Sequence, residues 1–289
     1  MITLDTLNAL SNDEAYDKLE GCCVATNWIN KMIRSRPFSS HQELITNAAS
    51  IWYEDCSADD YKEAFTGHPK IGDVNSLKEK YASTKEWAGD EQSKMAAANS
   101  DTIDALASAN QDYEDKFGYI FIVSASGKSA EEMLAIINSR MRHDSADEIT
   151  IAMNEQHKIT VIRLVKLIEG LADTSLLKSH ITTHALDTAL GLPIYKVNII
   201  LKSRIDKIWR PISVGVTNKD GRISDVLAPG YVLKRGSYKM IFMTKDYYNA
   251  TNQTGFYPQV SIQFNVTDNS HYHIPLLLNP YGYSTYRGS

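Results

Sequence analysis

The sequence lacks the marks of a membrane-spanning, secreted or zinc-binding protein. No apolar run in its 289 residues reaches the roughly 18–20 residues of a membrane span, and the N-terminus carries none of the basic side chains of a signal peptide. The three cysteines, Cys22, Cys23 and Cys56, are an odd number, which favours reduced thiols over a disulfide framework. No Cys-x-x-Cys zinc-binding spacing occurs. We therefore expect a cytosolic protein, with the peroxisome as the open alternative.

Charge and composition divide the chain into two parts. Residues 1–170 hold 17 Lys and Arg against 28 Asp and Glu, whereas residues 171–289 hold 13 against 7. Six of the eight prolines and ten of the sixteen tyrosines lie in the second part, so helix breakers and strand-favouring aromatics concentrate there. We predict an all-α domain over residues 1–171, a linker over 172–179 and a β domain over 180–289.

The first part shows the periodicity of helices. Apolar residues recur at helical spacing over Ala130–Met141, after Ser129 as an expected N-cap, and over Glu148–Leu171. A further helix is predicted near Asn99–Phe117. These patterns favour an all-helical domain.

The second part alternates apolar and polar residues as strands do. Strands are predicted at Tyr195–Leu201, Tyr238–Phe242 and Val260–Val266, and Asn218–Gly221 predicts a hairpin turn. Several strands with few helical stretches indicate a β-sandwich. The basic side chains are scattered and no nucleic-acid motif accompanies them, so a small anionic ligand is expected in place of a nucleic acid.

Three residues of the first part have chemistry that needs an explanation. His68 lies in a glycine-flanked loop and is suited to acid–base work, although a turn with an incidental imidazole fits equally. Glu91 fits either a site or a solvated helix face. Arg163 shares a helix face with Ile159 and Leu167, so its guanidinium must either reach solvent or meet an anion such as a substrate carboxylate.

An ordered set of motifs joins these residues. The set comprises His68-Pro-Lys-Ile-Gly, Glu91-Gln92, Asn110-x-x-Tyr113-x-x-Lys116-Phe-Gly-Tyr-x-Phe121-Ile122, Arg140, Glu148 and Arg163-Leu164. Over about residues 3–170 it resembles the 2-oxo-4-hydroxy-4-carboxy-5-ureidoimidazoline (OHCU) decarboxylases. The resemblance implies an all-helical fold that needs no cofactor.

The resemblance also implies roles for residues. His68 would be the catalytic imidazole, Glu91 its carboxylate partner, and Arg163 the residue that holds the substrate carboxylate. The implied substrate-binding positions are Pro69, Ala88, Gln92 and the segment Phe121, Ile122, Val123, Ser124 and Ala125. The family usually has a serine where this chain has Ala88, so one substrate hydrogen bond is missing or replaced, for example by water.

The second part has its own polar residues. They are His184 in Thr-Thr-His, Arg222 after the predicted turn, His271 and His273 in His-Tyr-His, and the tail Tyr286-Arg287-Gly288-Ser289. Taken alone, the paired histidines fit a surface strand, or a metal site that lacks a third ligand at suitable spacing, and Arg222 fits a solvated turn. The last nine residues of the sequence, 281–289, hold three tyrosines and one arginine, which is unusual for a tail left in solvent.

These features resemble the transthyretin-like 5-hydroxyisourate hydrolases over about residues 180–289. The resemblance implies that His184 and His273 orient and deprotonate a water and that Arg222 holds the anionic substrate and its developing oxyanion, without a metal. Tyr286, Arg287 and Ser289 would close the pocket, and His271 is the weaker candidate of the two strand histidines. In this family four sandwiches assemble, so a homo-oligomer is expected, with a tetramer favoured.

Three functional hypotheses follow. The first is a bifunctional enzyme of urate degradation that hydrolyses 5-hydroxyisourate to OHCU and decarboxylates OHCU to (S)-allantoin. The second is a transthyretin-like binding protein with a decayed helical part, for which Ala88 is the only support. The third is one working domain with the other as an oligomerisation scaffold.

Overall fold

The first part of the chain is helical. The structure is a computed structural model that describes residues 1–68, 100–125, 128–172 and 176–288. Its helices here are α1 (Leu4–Ala9), α2 (Asn12–Glu20), α3 (Thr26–Arg34), α4 (His41–Ser50), a π-helical turn (Ile51–Asp55), α5 (Ala58–Phe65), α6 (Ser100–Phe117), α7 (Ala130–Arg140) and α8 (Ser145–Leu167). No helix in the described residues is long and apolar enough to cross a membrane.

Side-chain caps explain where several of these helices begin. Ser129 accepts from the backbone of Glu132 while the Glu132 carboxylate accepts from the Ser129 backbone, so α7 starts with a complete capping box, and the predicted N-cap is confirmed. Asp144 is the N-cap of α8, and its carboxylate accepts from the Asp147 backbone N–H. The longest helix therefore begins before Glu148 and ends at Leu167, short of the predicted Leu171.

The second part is a two-layered β-sandwich. Its strands are β1 (Ile181–Asp187), β2 (Leu192–Pro193), β3 (Asn198–Ile205), β4 (Ile208–Val216), β5 (Arg222–Ile223), β6 (Gly236–Phe242), β7 (Val260–Val266), β8 (Tyr272–Asn279) and β9 (Gly282–Ser284), with helix α9 (Thr244–Ala250) between β6 and β7. One sheet has the order β2-β1-β8-β9, with β5 also paired to β1, and the other has the order β4-β3-β6-β7. The fold class predicted from the sequence is confirmed.

Apolar residues at alternate strand positions form the core of the sandwich. Tyr238, Met240 and Phe242 all face inward and are buried, as their spacing predicted. The predicted strand over Tyr195–Leu201 begins only at Asn198, because Lys196 adopts a φ of 61°, which extended backbone does not allow.

The turn at Asn218–Gly221 forms, but the predicted hairpin is wrong. Gly221 has a φ of 72°, and a Cβ there would lie 2.3 Å from the Ala185 carbonyl oxygen, so glycine is required. The strands on either side do not pair with each other, since β4 pairs with β3 and β5 pairs with β1. The turn instead carries the chain from one sheet to the other and delivers Arg222 beside β1.

The helical part packs against the sandwich at β4. α7 and α8 both contact this edge strand, and the Asn154 amide donates to the Ile212 carbonyl. The rings of Tyr53 and Tyr231 stack with centroids 4.0 Å apart. The division of the chain at residues 172–179 stays a prediction.

Candidate active sites

His68 is held at the end of a helix. Its backbone N–H donates to the Phe65 carbonyl 3.2 Å away, in a turn that directly follows α5. A Cβ at Gly67 would lie 2.9 Å from a Val24 methyl, so the turn packs closely on the loop before α3. This local geometry points the imidazole toward α8.

Two side chains of α8 contact the His68 ring. His68 Nε2 lies 2.7 Å from Gln156 Oε1, and Arg163 Nη2 lies 3.3 Å from His68 Nδ1. A guanidinium only donates, so Nδ1 accepts and Nε2 carries the proton that Gln156 accepts. The structure therefore brings His68 and Arg163 together, 95 residues apart in the chain.

Gln156 is a site residue that the sequence reasoning missed. It is fully buried, and its amide also donates to Thr160 Oγ1 at 3.3 Å. Its position is two helical turns before Arg163, so both lie on the same helix face. That spacing is the signal that could have identified it once Arg163 was suspected.

Arg163 is half-buried and does not simply reach solvent. Besides His68, it donates to the Cys22 carbonyl at 3.4 Å. Burial raises the pKa of the Cys22 thiol to about 12 and that of Cys23 to about 11. Both thiols therefore stay protonated near this site and are poor nucleophiles.

A buried ion pair fixes the segment Phe121–Ala125. Arg140 Nε donates to Glu148 Oε1 at 2.6 Å, and Arg140 Nη1 donates to the Ile122 carbonyl at 2.7 Å. Burial alone would raise the pKa of Glu148, but Arg140 and the hydrogen bonds hold it below its usual range. Arg140 and Glu148 both belong to the ordered motif set, and they thus position the predicted substrate-binding segment through its Ile122 carbonyl.

A second charge cluster holds the same segment from the sandwich side. Glu155 Oε2 accepts from the Ser124 N–H at 2.8 Å, and Glu155 Oε1 accepts from Lys158 at 2.6 Å. Lys128 donates to the Ser124 carbonyl at 2.9 Å and to Asp225 at 3.2 Å. Asp225 belongs to the β-sandwich part, so residues of both parts support the segment.

The segment's own backbone groups are partly engaged. Ser124 N–H and C=O, the Ile122 carbonyl and the Ala125 carbonyl all have hydrogen bonds within the chain. Phe121, Ile122, Val123 and Ser124 are buried, and Ala125 is half-buried. The predicted substrate contacts of this segment stay a prediction, as do those of the positions outside the described residues, namely Pro69, Ala88, Glu91, Gln92 and Ser289.

The sandwich gathers its predicted residues on one face of one sheet. β1 runs parallel to β8 with Thr182 opposite His273, and His184 lies opposite Arg222 of β5. Their neighbours in the strands, including Thr183 and Ile274, are buried in the other direction. Since side chains alternate along a strand, His184, Arg222 and His273 share the outer face of this sheet.

The positive charge of Arg222 acts on both histidines. Burial, followed by Arg222, lowers the pKa of His184. Burial, then Arg222, His184 and His271, lowers the pKa of His273. Both rings are therefore neutral at neutral pH, which is the form that can accept a proton from water.

The C-terminal tail folds back onto β8. The Gly288 N–H donates to the His273 carbonyl at 3.0 Å, and Thr285 Oγ1 donates to the Pro275 carbonyl at 2.7 Å. Arg287 donates to Ser270 Oγ at 2.9 Å, while the Tyr286 ring is 58% exposed. The tail is thus held beside His273, while the Tyr286 ring is not covered by the chain itself.

Two family models match the chain, one in its first part and one in its second. The family model described as OHCU decarboxylase matches residues 8–165, and that described as HIUase/Transthyretin family matches residues 181–288. Among curated proteins, the uric acid degradation bifunctional protein TTL of Arabidopsis thaliana is 30% identical over 94% of this chain and 98% of its own length. The 5-hydroxyisourate hydrolase of Mus musculus is 42% identical over 38% of this chain and 96% of its own.

Among solved structures, one alignment extends over the whole chain. The crystal structure of (S)-allantoin synthase aligns over 100% of both chains, at 24% identity and a TM-score of 0.46. The two family matches and the full-length relative together account for both parts of the chain. The chain therefore belongs to the family of bifunctional uric acid degradation proteins, in which an OHCU decarboxylase domain is fused to a 5-hydroxyisourate hydrolase domain.

Proposed function

We propose that the two activities use two separate sets of residues. His184, Arg222 and His273 hydrolyse 5-hydroxyisourate on the sandwich, and His68 with Arg163 decarboxylates OHCU to (S)-allantoin in the helical domain. The observation that supports this most directly is the contact between Arg163 and His68 at 3.3 Å, since an imidazole beside a fixed cation suits an anionic substrate. A matching trio of two neutral histidines and one arginine lies on the sandwich.

The hydrolytic step needs a base and an oxyanion site. His273 and His184 take the proton of a water, whose oxygen attacks the carbonyl carbon of the six-membered ring. Arg222 stabilises the oxyanion that forms. Collapse of this intermediate breaks the carbon–nitrogen bond, and the nitrogen receives the proton held by the histidines. The carboxylic acid that remains on the opened product loses its own proton to solvent and becomes a carboxylate.

The decarboxylation step removes that same carboxylate. Arg163 binds it, and the carbon–carbon bond breaks with its electron pair delocalised into the adjacent imine and carbonyl. His68 then delivers one proton to one face of the carbanion, which sets the chirality of the product. Gln156 fixes the ring orientation for this transfer, and Glu91 is the proposed carboxylate partner of His68.

We also propose that the protein acts as a homo-oligomer, with a tetramer favoured. The outer face that bears His184 is open in one chain, and Leu192 and Tyr286 beside it are 55% and 58% exposed. A second copy covering this face would dry the site and strengthen its electrostatics. Sedimentation velocity should give a single species larger than the 32.4 kDa chain. The cytosol is the proposed location.

The two residue sets are separable by mutation. Urate oxidase generates 5-hydroxyisourate in the cuvette, ultraviolet absorbance follows its loss, and circular dichroism follows the chiral product. His68→Ala should block only the second phase and His184→Ala only the first. Adding a stand-alone 5-hydroxyisourate hydrolase should restore product formation to His184→Ala but not to His68→Ala.

Matched variants control for unspecific damage. His41→Ala removes a histidine of α4, and Arg235→Gln removes an exposed arginine to match Arg222→Gln. Both controls should leave both phases unchanged. If His68→Ala also abolished the first phase in the absence of added hydrolase, or if His184→Ala made no chiral product in its presence, the assignment of residues to domains would be wrong.

A further inference from the structure

Three polar side chains stand in a row on the open face of the β1–β8 pair. Thr182 Oγ1 lies 2.9 Å from His271 Nε2 and 2.9 Å from His273 Nδ1. The parallel register puts Thr182 directly opposite His273. The far nitrogen of the first histidine, His271 Nδ1, lies 3.1 Å from the Ser179 carbonyl oxygen.

The carbonyl at the end of the row fixes the direction of every hydrogen bond. A carbonyl oxygen only accepts, so His271 Nδ1 carries a proton, and in the neutral ring His271 Nε2 then has a lone pair. The Thr182 hydroxyl has one proton, which it donates to that lone pair. Its oxygen therefore accepts from His273, so His273 Nδ1 carries the proton and His273 Nε2 is left with its lone pair.

We propose that Thr182 and His271 are positioning residues that hold His273 in the Nδ1-protonated tautomer, so that Nε2 is the atom that takes a proton from the attacking water. This inference rests on the proposed hydrolytic role of His273. It assigns different duties to the two strand histidines: His273 acts on water, and His271 sets the tautomer through Thr182.

The tail is consistent with Nε2 as the reacting atom. A Cβ built on Gly288 would lie 2.5 Å from His273 Cδ2, the ring carbon bonded to Nε2. Gly288 therefore lies on the Cδ2 side of the ring, and Thr182 lies on the opposite, Nδ1 side. The Nδ1 side is thus anchored to β1, which leaves Nε2 at the far end of the ring.

The test compares two substitutions of one hydroxyl. Thr182→Val keeps the shape and removes the relay, whereas Thr182→Ser keeps the relay. Because a positioned general base contributes about 10²–10⁴-fold, partial loss of the right tautomer should lower the hydrolase kcat about 10- to 100-fold in Thr182→Val. KM should change little, and Thr182→Ser should retain most of kcat. The decarboxylase phase of the same chain reports whether each variant is folded.

A direct readout of the tautomer accompanies the kinetics. In ¹⁵N-histidine solid-state NMR of sedimented protein, the His273 signals, assigned by their loss in His273→Gln, should show a protonated Nδ1 and a bare Nε2. Thr182→Val and His271→Ala should both shift the ring toward the other tautomer. Unchanged kcat in Thr182→Val, or a wild-type ring protonated at Nε2, would overturn the inference. Full hydrolase activity in His273→Gln would instead overturn the proposed function itself.

Discussion

The buried His157 should make the helical domain sensitive to acid. The ring lies in the middle of α8 and is fully buried, and neither ring nitrogen has a hydrogen-bond partner among the described residues. It stacks on Trp52 with centroids 6.5 Å apart and meets the edge of Tyr53 at 5.2 Å. Burial lowers the pKa of His157 to about 3.

The sign and size of the effect follow from proton binding. In the unfolded chain the ring has the ordinary histidine pKa of about 6.5, so between pH 6.5 and 3 the unfolded state binds the extra proton. The stability contributed by the neutral ring is fully present above pH 6.5 and is lost progressively as the pH falls toward 3. At about 1.4 kcal/mol per pH unit, His157 alone should lower the free energy of unfolding by about 2 kcal/mol between pH 7 and pH 5.

Substitution by phenylalanine isolates this contribution. His157→Phe keeps an aromatic ring against Trp52 and Tyr53 but cannot bind a proton. Urea unfolding, followed by circular dichroism of the helical transition, should show that the wild type loses about 2 kcal/mol more than the variant between pH 7 and pH 5. Above pH 7 the difference between the two proteins should not depend on pH. Equal losses in both proteins would refute the reasoning.

Two further predictions concern the sites. Gly288→Ala should lower hydrolase kcat at least about 10-fold, because the new methyl group would press on His273. The decarboxylase phase should be spared. Equal hydrolase rates for variant and wild type in stopped-flow absorbance would contradict this prediction. Because burial and Arg222 lower the pKa of His184 and His273, their neutral forms persist into more acidic solution, so the acid limb of hydrolase kcat/KM should lie below pH 6.5. Arg222→Gln should move that limb upward, and a limb that stays in place would show that another group controls it.

Local patterns in the sequence predicted most of the fold. The capping box at Ser129 and the alternation at Tyr238–Phe242 both depend on neighbours within a few residues, and both are confirmed. The turn at Asn218–Gly221 was also readable, because glycine marks positive φ. The strand pairing around this turn could not be predicted, because the strand partner of Arg222 lies on β1. Local turn chemistry does not specify which sheet a strand joins.

The arrangement of the proposed sites was predictable only in part. His68 and Arg163 were suspected from residue type, motif order and resemblance, and they lie in contact. Gln156 and Thr182 were not found, because a polar residue on a helix or strand has no sequence signal until the residue it contacts is known. Asp225 was missed for a related reason, as its lysine partners lie in the other part of the chain.

The position of the helical domain decides which surfaces of the sandwich stay open. α7 and α8 pack against β4, the edge strand of one sheet, whereas the proposed hydrolase residues lie on the outer face of the other sheet. The opposite edges, β7 and β9, end their sheets without a further strand partner in the part of the chain that the structure describes. Such edges and open faces are where a second copy can pair. An assembly that covers His184 and His273 would therefore leave the β4 side of the sandwich, where the helical domain packs, outside its interface.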